Sequence, residues 1–160
     1  MIHSIKTFYK KCKRFIEFAP EIWNGNDYDY QSAVDLFSYQ LERLADELES
    51  KNPHIDTKHQ VARIHATVEM IQKVYGEEYL ERPLHIMERM YGECSFSFKP
   101  FEDTDSFEVE LVWDRAVDEE HNKEINETYN AMMQHAYKDH ERAHATLWKY
   151  VEHNIRNWWY

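Results

Sequence analysis

The sequence predicts a mostly α fold: a helical bundle with an antiparallel helical hairpin, a long C-terminal helix and one inserted β-hairpin. Three observations carry this. Only three Gly and four Pro occur in 160 residues, too few to punctuate a strand-rich sandwich. Apolar residues return at helical spacing through most of the chain. One stretch alone, "CSFSFKPFEDTDSFEVELVWD", alternates with a period of two. The length fits a single domain over residues 1–160 with a real core.

The first element is "IHSIKTFYKKCKRFIEFAP", which sets Ile5, Phe8, Cys12, Phe15 and Ala19 on one face with lysines opposite; Pro20 is expected to end it. "EIWNGNDYDY" reads as a turn-rich connector. The next segment runs Tyr30, Val34, Phe37, Leu41, Leu44 and Leu48 as a single apolar stripe. "KNPHID" breaks it, with Asp56 placed to cap the following helix. That helix carries Val61, Ile64, Val68, Ile71 and Tyr75. Two matched stripes joined by a short polar loop predict an antiparallel pair. A shorter helix follows at "RPLHIMERMYG", with Pro83 in its first turn and Gly92 as its stop.

The alternating stretch then places Phe96 and Phe98, and Phe107, Val109, Leu111 and Trp113, on the two arms of a hairpin at about 94–113. A two-stranded hairpin is marginal alone, so its apolar face is expected against the helices. The last helix is expected from about Asp118 to the chain end.

Charge and cysteine usage bound the function. Net charge is −11; residues 1–19 carry five basic side chains against Glu17, a balance of +4, which leaves −15 for the remainder. An acidic body argues against direct nucleic-acid binding. It leaves plain solubility, or mimicry of nucleic acid toward a basic host protein. The basic first helix fits either a membrane surface or docking on the acidic remainder. The second use is adopted, and no membrane partner is expected. No apolar run approaches the ~18 residues of a membrane span, and no signal-peptide pattern opens the chain. Cys12 and Cys94 are too few for a disulfide framework, which points to a reducing cytoplasm.

The last helix contains HERAH, a match to HExxH. In zinc hydrolases such a pair of histidines binds metal from one helix face while the glutamate activates water. On a helical wheel Tyr129, Met133, Ala136, Leu147, Val151 and Trp158 fall within about 40° of His140, so His140 is expected at the centre of the buried stripe with His144 beside it. A third ligand is missing from the helix itself: His153 faces away, and His65, Glu69 or His85 would have to supply it. Arg142 adds a cation where a dication would sit. Zinc on His140 and His144 therefore stays an alternative. A second reading is a buried imidazole bonded to Tyr137 or Gln72. The third, adopted here, is a small-ligand pocket. In it His140 breaks the apolar stripe of the last helix with His144 beside it, while His65 sits at the edge of its own helix stripe and Gln72 interrupts it; Tyr137, Trp148 and Trp158 offer flat walls to a base, and Arg63, Arg142 and Arg156 meet phosphates. No Gly-rich phosphate loop, CxxC pair or nucleophile elbow appears, and Glu141-x-x-His144 lacks the second copy a di-iron site needs.

Two stretches, "DLFSYQLERLADELESKNPHIDTKHQVARIHATVEMIQKVYGEEY" and "AYKDHERAHATLWKYVEHNIRNWWY", resemble uncharacterised small helical proteins of tailed bacteriophages. Those pair a helical hairpin, whose loop holds a His and an Asp, with a terminal helix ending in Trp-Trp and an acid. The counterparts are His54, Asp56, Trp158 and Trp159, while Tyr160 departs from the acidic end. The resemblance brings no activity. It implies an accessory protein in an infected bacterial cytoplasm, where proteins of this size often sequester nucleotide immune signals or block a host protein. A non-enzymatic binder of a nucleotide-type ligand is the function expected from the combined reading. The terminal Trp158, Trp159 and Tyr160 add the expectation of a homo-oligomer with the C-terminal helix in its interface.

Overall fold

The computed structural model describes residues 2–24, 30–51, 55–76, 78–100 and 106–158. His54, Trp159 and Tyr160 lie outside them, as does the hairpin turn. The described elements run α1 (Ile2–Asn24), α2 (Tyr30–Lys51), α3 (Ile55–Tyr75), α4 (Glu78–Tyr91), β1 (Cys94–Pro100), β2 (Phe107–Trp113) and α5 (Glu119–Asn154), with a short 3-10 turn over Ile155–Asn157. The mostly helical class, the long C-terminal helix and the inserted hairpin are as the sequence predicts. No described helix is long and apolar enough to cross a membrane. Two compact units emerge: residues 1–72 with 150–160, and residues 73–149.

In the first unit the core is the predicted pair of stripes. Val34, Leu41 and Ala45 of α2 are buried, as are Val61, Ile64, Val68 and Ile71 of α3, with Val151 and Trp158 from the chain end. Thr67 is fully enclosed and returns its hydroxyl to the Arg63 carbonyl at 2.9 Å, the usual way a buried threonine satisfies itself in a helix. Tyr30 departs from its predicted stripe and stands 72% exposed at the first residue of α2.

Helix α1 corrects two expectations. Pro20 does not end it; the helix carries the proline inside and continues to Asn24. Nor does most of its predicted apolar face dock: Ile5, Phe8 and Phe15 are exposed, and only Cys12 and Ala19 are half-buried. The seat on α2 is made by Glu17 and Phe18: Arg43 pairs with Glu17 at 2.8 Å and stacks over Phe18 at 4.9 Å, and the Tyr39 hydroxyl donates to the Glu17 carbonyl at 3.1 Å.

In the second unit α4 starts earlier than predicted, so Pro83 lies in its second turn, buried with Met87. Gly92 closes the helix as expected: its φ is +83°, and its N–H donates to the Glu88 carbonyl at 2.9 Å. A Cβ there would meet Asp114 Cβ at 2.9 Å. Strands β1 and β2 pair antiparallel with Phe96 opposite Leu111 and Phe98 opposite Val109. Only the base of the apolar face is packed, where Trp113 joins Met87 and Ile125 in a core with Leu84, Tyr91, Cys94, Ala116, Tyr129 and Met132 around it. Toward the turn Phe96, Phe98, Phe107 and Val109 are exposed, against the expectation of a covered face.

Helix α5 begins one residue after its cap. Asp118 Oδ1 accepts the His121 N–H at 2.8 Å, and His121 Nδ1 accepts the Val117 N–H at 3.2 Å, a reciprocal arrangement in which histidine replaces the usual glutamate. Asn122 and Asn126, one turn apart, then satisfy the open edge of β2. Asn122 Oδ1 accepts the Trp113 N–H, both amide groups donate to the Leu111 carbonyl, and Asn126 Oδ1 accepts the Trp113 indole N–H at 2.8 Å.

Candidate functional site

The HERAH segment sits in the middle of α5, in the second unit, facing the chain that leaves α3. His140 is half-buried and His144 exposed, so neither is the centre of a closed core, contrary to the wheel's expectation. The end of α3 meets this stretch by its last two residues: the Val74 carbonyl faces His140, and the Tyr75 hydroxyl reaches His144.

His140 Nε2 lies 2.8 Å from the Val74 carbonyl. A carbonyl only accepts, so the imidazole donates from Nε2–H. Val74 is in the last turn of α3, where carbonyls lack helical partners; His140 supplies the missing donor. Its ring meets the edge of Tyr79 at 5.9 Å. The buried-imidazole reading had named Tyr137 or Gln72 as the partner; the partner is backbone.

His144 takes the opposite tautomer. The Trp148 indole can only donate, and it does so to His144 Nε2 at 3.0 Å and to the Tyr75 hydroxyl at 3.2 Å; the hydroxyl in turn lies 3.1 Å from the same Nε2. Tyr75, His144 and Trp148 thus form one exposed polar-aromatic cluster, with ring centroids 5.9 and 6.2 Å apart. Chelation by this pair through Nε2 would need a lone pair on both atoms. On His140 that nitrogen carries a proton, and on His144 the lone pair is engaged by two donors. Among the described residues no three His, Cys, Asp or Glu side chains converge to hold a metal ion.

Of the other predicted site residues, Tyr137 is 53% exposed, and Arg142 is exposed and ion-paired with Asp139 at 3.2 Å. Arg63 and His65 belong to the first unit and are exposed on α3; Trp158, also of that unit, is fully enclosed in the core. The structure therefore groups His140, His144 and Trp148, through Tyr75 and Val74, and leaves Arg63, His65, Tyr137, Arg142 and Trp158 outside the cluster.

A cleft of about 470 Å³ opens on the opposite shoulder of α5, lined by Lys73, Tyr79, Arg82, Ile86, Met132 and His135, with Glu78, Pro83, Ala136 and Asp139 completing it. Its size falls in the range of small-ligand sites. Tyr79 is its link to His140, since one ring lines the cleft and meets the imidazole. Sequence reading missed it because Met132, Ala136 and Asp139 lie roughly 40–100° from His140 on the side away from His144, and the wheel drew attention the other way. The α4 residues Tyr79, Arg82, Pro83 and Ile86 at i, i+3, i+4 and i+7 are the signal that was available.

Titration is shifted at few places. Lys99 bridges Glu110 at 2.9 Å and Glu119 at 3.1 Å, which holds its ammonium above the ordinary lysine range and the Glu110 carboxyl below its own. Burial, then the Glu88 charge, pushes the Cys94 thiol up, away from a reactive thiolate. The chain matches no known protein family, and no characterised protein or solved structure is detectably similar to it.

Proposed function

We propose that this chain is a non-enzymatic accessory protein of a tailed phage, binding a small nucleotide-type ligand in the cleft between α4 and α5. One observation carries the reading: the 470 Å³ cleft joins an apolar wall of Ile86, Met132 and Tyr79 to the cations Lys73 and Arg82. Tyr79 offers a ring face to a base. Lys73 and Arg82 are placed for phosphate, with Arg82 able to engage two oxygens at once. Glu78 and Asp139 add acceptors for exocyclic amino groups. Ligand sequestration in a bacterial cytoplasm is the use this chemistry fits in a phage setting.

Thermal-shift and calorimetric titration with linear and cyclic nucleotides test it. A binder that raises the melting temperature of the intact protein, and loses its effect in Arg82→Glu and Tyr79→Ala, is the expected result. Both side chains are at least partly exposed, so both variants should fold. Absence of any stabilising nucleotide, or binding unchanged in both variants, removes the proposal.

A further inference from the structure

We propose that α1 is a surface anchor for anionic lipid bilayers, an inference independent of the cleft and its ligand. The observation is an inverted seat. Of the two residues that hold α1 to α2, Glu17 lies on the back of the helix and Phe18 on its flank. The front, an arc of roughly 140°, carries Ile5, Phe8, Tyr9, Phe15, Ile16, Ile22 and Trp23, which are 62–88% exposed.

Three features of this face select the occupant. Its width exceeds the narrow seam of a coiled coil and matches helices that lie in a bilayer interface. Four of its seven large side chains are aromatic, the composition favoured at the headgroup level. Its margins are cationic: Lys6 and Lys13 border one side and Lys11 the other, with Lys10 and Arg14 behind. Of the helix's two acids, Glu17 and Glu21, Glu17 is engaged by Lys13 and Arg43. Lysines on both margins can lower their stems along the apolar face and set their ammonium groups among phosphates. The same margins would oppose each other if two copies joined front to front, which weighs against self-association through this face. Apolar insertion supplies the binding; the cations choose the surface, against the −15 carried by residues 20–160.

The test is co-sedimentation of the full chain with phosphatidylcholine vesicles, with and without about a third phosphatidylglycerol. Binding to the anionic vesicles is expected, with at least about tenfold less on the neutral ones. F8D/F15D should abolish it, and K6E/K11E should erase the anionic preference. All four side chains are exposed, so melting temperatures should match the parent chain and separate lost binding from lost fold. Failure to bind anionic vesicles overturns the proposal, as does equal binding by F8D/F15D. A concentration-dependent dimer broken by F8D/F15D, without vesicle binding, would assign the face to a second copy instead.

Discussion

Trp113 shows how much one residue draws together. It is 1% exposed, and both its backbone N–H and its indole N–H are spent on α5 asparagines. Truncating Asn126 to Ala leaves the indole donor buried and unpaired and deprives the Leu111 carbonyl of one donor. The expected cost is about 2–3 kcal/mol, read by urea denaturation against Thr128→Ala on the solvent side of the same helix. Gly92→Ala should cost about 1–2 kcal/mol or more, from its positive φ and the contact with Asp114. His140 illustrates the opposite lesson. The residue that most invited a catalytic reading donates to the last turn of α3, so His140→Ala should lower stability by roughly 1 kcal/mol. Protein purified without a histidine tag should carry substoichiometric zinc before and after His144→Ala; stoichiometric zinc lost on that substitution would revive the hydrolase alternative.

At the level of elements, the hairpin is tied to the start of α5 by Lys99, Glu110 and Glu119 as well as by the asparagines. The pH dependence follows from the two shifts. Glu110 titrates lower folded than unfolded, so its contribution is present above the ordinary carboxylate value of about 4.3 and fades as pH falls through the depressed one. Lys99 titrates higher folded than unfolded, so its contribution is full below about 10.4 and is lost as pH rises through the raised value. Hairpin amide protection should therefore be flat across neutral pH and drop toward both extremes; in Lys99→Met the alkaline limb should vanish and the acid limb shrink, with Asn122 still bonded to Glu110. The effect should be small, because Lys99 and Glu119 are exposed and water screens the pairs. A hairpin whose protection tracks pH identically with and without Lys99 would refute this coupling.

For the whole molecule, residues 1–72 with 150–160 form one compact unit and residues 73–149 the other. The structure also changes how assembly should be tested. Trp158 is fully buried, so the terminal aromatics are not a free cluster of three; removing Trp158 would damage a core. We propose that the chain forms a dimer through its C-terminal helix, and light scattering should compare the intact protein with a form ending at Trp158. Loss of the dimer in the shorter form is expected. A monomer at high concentration for the intact chain ends that idea.

What the sequence determined by itself is what local periodicity encodes. The 3.6-residue recurrence of Val34 and Leu41, and of Val61, Ile64, Val68 and Ile71, marked buried stripes because a helix repeats its faces whatever it packs against. The switch to a period of two marked the strands, and Gly92 and Asp118 marked a stop and a start through their own backbone chemistry. Only the tertiary structure decided which face met a partner and where a stripe ran past its cover. Helix α1 is amphipathic in sequence, yet it seats on α2 by Glu17 and Phe18. Helix α5 carries a stripe through His140, yet His140 is only half-buried against the Val74 carbonyl and His144 is exposed. The cleft needs Lys73, Arg82 and His135 from three helices at once. Such meetings depend on contacts between residues far apart in the chain, and a wheel drawn for one helix contains no term for the length or placement of its neighbours.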